Sequence, residues 1–152
     1  MKSPKIAPVL LLGAAWIVAA PAHAQFSTVP APKCQKPKPS AQPEAGAYRI
    51  EAAKHLYACF PAQVYPGKLP PLLYGVMVVE LEIGPAGRVK NINVVRKPAA
   101  TEVAPWVMAL IQRAVPFPAP AGIAGKGVKF TETFLVDKTG LFQTLSLSEG
   151  QQ

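Results

Sequence analysis

The sequence predicts an α+β fold, a small antiparallel sheet with two helices packed on it. Three observations lead there. Two stretches of alternating apolar residues flank the tetrapeptide Gly84-Pro85-Ala86-Gly87. Two other stretches repeat apolar residues three and four positions apart. The resulting order is helix, strand, strand, helix, strand, strand, with no internal repeat.

Residues 1–24 read as a secretory signal peptide. Lys2 and Lys5 make a basic start without an acid, and Val9 to Ala20 is a run of 12 apolar or glycine residues. Ala22-His23-Ala24 then forms a small-x-small cleavage pattern, with the cut expected between Ala24 and Gln25. As a helix the run spans about 18 Å, against about 30 Å of hydrocarbon. Cleavage leaves 128 of the 152 residues, with 14 Lys and Arg against 8 Asp and Glu, a formal charge of +6. That length suits one domain with a modest core. An exported basic protein without a basic-aromatic stripe is not expected to bind nucleic acid.

Residues 25–46, with five prolines and three lysines, read as an extended linker. At about 3.1 Å per residue it reaches at most roughly 70 Å. Cys34 lies in it and Cys59 beyond it. In an oxidising compartment two cysteines most simply form one disulfide. The chain-entropy model gives such a bridge about 3.5 kcal/mol.

Ala47 to Phe60 is the first predicted helix, with Ala53, Leu56, Tyr57 and Phe60 on one apolar face and Pro61 as its stop. Tyr74 to Ile83 is a strand. Met77, Val79, Leu81 and Ile83 share its inner face, and Glu80 and Glu82 its wet face. After the glycine turn, Arg88 to Arg96 returns. The step from Val89 to Ile92 breaks the alternation and predicts a bulge near Lys90-Asn91. Thr101 to Val115 is the second helix, with Val103, Val107, Leu110, Ile111 and Ala114 inward and Trp106 off that stripe. Lys126 to Asp137 is the third strand. Glu132 interrupts its apolar face and suggests an edge or a frayed end. Leu141 to Leu147 is a last short strand.

The chemistry is sparse. His55 is the only histidine of the mature part and reads as a surface or half-buried helix residue, with no cysteine or carboxylate constellation expected around it. Glu80 and Glu82 read as a solvated sheet face. No hydrolase elbow, zinc-protease helix or phosphate loop is present in the sequence. No catalytic residue, cofactor or metal is expected.

From Leu81 the chain reads as an apolar strand, G-P-A-G-R-V, N-I-N-V-V-R, a helix ending ALIQRAVPFPAP, and the strand VKFTETFLV. Over about residues 74–137 this resembles the C-terminal domain of TonB energy transducers. The resemblance implies a TonB C-terminal-like β-β-α-β core preceded by an extra helix, within a domain at 47–148. It implies a non-catalytic periplasmic or secreted protein of a Gram-negative envelope, working through protein–protein contacts. The implied partner is an envelope protein, such as an outer-membrane receptor peptide added as a strand. The implied docking edge is the strand after the second helix, with Val128, Phe130, Thr131, Thr133, Phe134 and Val136, which the strand from Leu141 is placed to cover. Two other readings stay open: a membrane-anchored transducer supporting outer-membrane transport, and a small secreted hydrolase or inhibitor.

Overall fold

Each predicted element forms, and all but the last strand keep their ends within two residues of the predicted ones. The computed structural model describes Phe26, residues 28–125 and residues 127–152. The expected cleavage point at Ala24 and Gln25 lies outside the described residues. Helix α1 spans Ala45–Cys59 and α2 spans Val103–Arg113. Strands β1 (Gly75–Ile83), β2 (Val89–Arg96), β3 (Val128–Val136) and β4 (Phe142–Thr144) form one antiparallel sheet in the order β2-β1-β3-β4.

Strict alternation in β1 puts Met77, Val79, Leu81 and Ile83 into the core and leaves Glu80 and Glu82 on the outer face. There they meet Lys129 at 3.4 Å and Lys90 at 3.9 Å. Such surface pairs contribute little. The predicted bulge is present: Glu82 pairs with Asn91 and Ile83 with Val89, so Lys90 is the extra residue. A second bulge, at Val95, lies between the pairs Val78–Arg96 and Val79–Val94. The turn needs Gly87 for two reasons. Its φ is +77°, and a Cβ there would stand 2.0 Å from the Phe117 carbonyl oxygen. Phe117 N–H donates to the Gly87 carbonyl at 2.9 Å, tying the hairpin tip to the chain after α2.

Both helices cover one face of the sheet, α1 over β3 and α2 over β1. Trp106 completes the core between Phe26 and Phe142. In α1 the buried stripe is Tyr48, Ala52, Ala53, His55, Leu56 and Cys59, wider than the predicted face. His55 is therefore a buried residue, not a surface one. Its Nε2–H donates to the Ala114 carbonyl at 2.8 Å, and its ring meets Phe117 edge to face at 5.4 Å. Sequence spacing along one helix did not reveal these partners, because both come from the segment after α2.

Glu132 corrects a second expectation. It lies neither at an edge nor at a frayed end. It is buried on an inner strand, where its carboxylate accepts from Ser146 Oγ, Ser146 N–H and the Thr133 N–H. The last strand is also shorter than expected. β4 stops at Thr144 and the chain turns through a single 3₁₀ turn at Leu145–Leu147, which places Ser146 on Glu132.

Residues 28–44 are extended, as their prolines dictate, and they pack along the domain as a strap. Phe26 stacks on Tyr74 at 5.4 Å and Val29 is buried. Arg113 donates to the Val29 carbonyl at 2.7 Å. Lys33 N–H donates to Cys59 O at 2.8 Å, and Ser40 pairs with residues 119–122. Cys34 and Cys59 are disulfide-bonded.

Candidate functional site

The two margins of the sheet decide where another chain can add. β3 is an inner strand: β1 pairs with it over its whole length, and β4 covers its other side over Phe134–Val136. The side chains of Val128, Phe130, Phe134 and Val136 point into the core. Thr131 and Thr133 lie on the other face, and their outward backbone groups are engaged. Arg49 donates to Thr131 O at 3.4 Å, and Thr133 N–H to Glu132 at 2.9 Å. The expected docking edge is therefore largely occupied, because the fold brings α1 and the 145–147 turn against it.

β4 is itself covered. Val64 bridges Phe142, and Tyr65 N–H donates to Phe142 O at 2.9 Å. The Gln143 amide donates to the carbonyls of Tyr65 and Gly67 at 3.0 and 2.6 Å. Thr144 N–H donates to the Tyr57 hydroxyl at 3.0 Å. Burial raises the Tyr57 hydroxyl above its ordinary pKa, and the Thr144 hydrogen bonds partly offset this.

β2 is different: among the described residues no strand pairs with its outer side. Gly84 N–H bonds Arg88 O, so even-numbered residues of β1 face β2. Asn91 and Asn93, which sit opposite Glu82 and Glu80, then bond inward, and the backbone groups of Ile92 and Val94 aim outward. Val89, Ile92 and Val94 lie on the core-facing side but are only half-buried, because α2 sits over β1 and stops short of them. The gap is a groove of about 450 Å³, walled by Val89 and Ile92 on one side and Met108, Gln112 and Val115 on the other. Arg88, Lys90, Arg96 and Lys97 line this margin, and no acid occurs from Arg88 to Thr101. The sequence signal for this edge was present in the half-hydrophobic, basic pattern of β2. It took the strand order to show that the edge is open.

At the C-terminal end of α2, the strap with Cys34, His55 and residues 113–116 enclose another opening of about 240 Å³. Phe117 is buried beside it, a core plug. Deeper in the core, Tyr48 donates to Pro118 O at 2.6 Å, and burial raises its hydroxyl above the ordinary pKa. At the strap, hydrogen bonds from Ser40 and Gln42 hold the Glu51 carboxyl below the usual range.

No helix among the described residues is long and apolar enough to cross a membrane. Set against protein-family models, characterised proteins and solved structures, the chain matches none.

Proposed function

We propose that this protein is a non-catalytic, periplasmic interaction module of the cell envelope that takes up an extended, acidic segment of a partner along β2. The observation that supports this most is the unpaired outer side of β2 beside the groove under α2. A peptide added there gains main-chain hydrogen bonds at Ile92 and Val94. Its inward side chains cover Val89, Ile92 and Met108. Its acids meet the basic margin of Arg88, Arg96 and Lys97. The resemblance to TonB C-terminal domains favours an outer-membrane receptor as the source of that segment, docked on a different strand from the one the resemblance implies. The signal-like N-terminus and the disulfide favour an oxidising compartment.

A photo-crosslinker at Asn93, used in the native envelope, tests the reading. The expected product maps to an acidic, extended stretch of the partner and is lost in Ile92→Pro, which removes an outward donor on an edge strand. A crosslinker at Gln63, near the covered margin, captures none of it. Equal capture from Gln63, or capture unaffected by Ile92→Pro, overturns the proposal.

A further inference from the structure

Helical register brings His55 and Cys59, four residues apart, onto one face of α1, and the strap lays Cys34 against them. One donor atom from each of the three residues lies within 4.8 Å of the others. His55 Nε2 stands 3.4 Å from Cys59 Sγ. A tetrahedral ion with sulfur at about 2.3 Å and nitrogen at about 2.0 Å holds such a pair roughly 3.5 Å apart. The imidazole thus stands at ligand distance from Cys59 Sγ; binding requires the two sulfurs to separate, to roughly 3.8 Å, and His55 to exchange its Ala114 bond for the ion.

We propose that the Cys34–Cys59 disulfide closes a latent site for a thiophilic d¹⁰ metal ion, and that reduction opens it as a two-thiolate, one-imidazole donor set. The inference does not depend on the β2 groove. Two features of the structure prepare for it. The strap is anchored on both sides of Cys34, by Arg113 on Val29 O and by Ser40 on residues 119–122. Cutting the sulfur bridge therefore leaves Cys34 in reach of Cys59. The opening of about 240 Å³ also gives an ion a way in, past Pro32, Lys36 and Arg113. Two thiolates and a divalent ion then sum to zero charge, which suits a partly buried place.

The steps balance. A phosphine reductant and one water convert the disulfide to two thiols and a phosphine oxide. Zinc binding expels both thiol protons to solvent. His55 gives up its bond to Ala114 O, carries its ring proton on Nδ1, and binds through Nε2.

The full chain is reduced with a phosphine without oxygen and titrated with Co(II), whose thiolate charge-transfer band reports sulfur ligation. The disulfide form gives no band. The reduced form gives one that saturates at one equivalent and is bleached by Zn(II). Cys34→Ser with Cys59→Ser abolishes it, and His55→Gln weakens binding by about tenfold or more. In the wild type, Zn(II) shifts the His55 Nε2 resonance, a measurement that needs no folded variant. Absence of the band in the reduced chain, its survival in the double serine variant, or an unmoved His55 resonance overturns the site.

Discussion

Where β4 ends the sheet, the chain supplies its own cover. Val64 to Gly67 bridges Phe142, Gln143 reaches back to two carbonyls, and Tyr57 takes the Thr144 amide. Where β2 ends it, no strand among the described residues follows, and protection comes from bulges at Lys90 and Val95 and from a row of cations. One margin is closed by distant residues that leave almost no backbone group unmet. The other is guarded locally, over two irregular residues, with the regular run 91–94 left between them. A sheet that closes one edge at the cost of ordering residues far apart in sequence, and leaves its neighbour to charge and twist, separates a structural edge from one that can accept a chain.

The largest expected effect breaks the closed margin. Phe142 is fully buried and meets Tyr57, Trp106 and Phe134 at 5.8, 6.2 and 5.9 Å. Phe142→Ala removes the plug shared by β4, α1 and α2, and is expected to cost about 3–5 kcal/mol. Denaturant unfolding measures it, and amide exchange should show β4 opening first, with 91–94 unchanged. A loss below about 1 kcal/mol would mean that the covering segment, not the ring, holds the margin.

A smaller effect comes from the same side. Ser146→Ala takes one donor from the buried Glu132 carboxylate and leaves the Ser146 and Thr133 amides in place. The expected cost is about 1–3 kcal/mol, read by thermal melting, with exchange rising at residues 144–147. Glu132→Gln keeps the shape and removes the charge. If it matches wild type, the site requires a hydrogen-bond acceptor and not an ion.

The elements of this fold were legible because each answers to local rules. The β1 alternation, the Lys90 bulge, the α2 stripe and the glycine turn follow from neighbours within a few residues. The extended form of the strap was legible too, since five prolines leave little else. What sequence reading lacked is the set of long-range partners. Glu132 looked like a break in an apolar face because its satisfying serine is 14 residues away, in a turn that read as strand. His55 looked solitary because its partner carbonyl is Ala114, and because the i, i+4 relation to Cys59 acquires chemical meaning only once the strap is folded down. The open margin was hidden for the same reason: alternation fixes which face of β2 is apolar, but not which side of it lacks a neighbour.

The least costly change sharpens the open margin. Val95 is the bulged residue, 59 % exposed, and pairs with nothing across from it on β1. Val95→Asp should shift stability by no more than about 0.5 kcal/mol, because it neither empties the core nor orphans a buried group. Its charge, however, sits next to Arg96 and within a Debye length, about 8 Å at physiological salt, of any strand laid along β2. Capture of an acidic partner through the Asn93 crosslinker should fall several-fold at low salt, and the difference should shrink as salt is raised. Val95→Asn, which adds polarity without charge, should leave capture near wild type. If aspartate and asparagine weaken capture equally, the edge is recognised by shape and apolar contact, and the cations on β2 serve only to keep unwanted strands away.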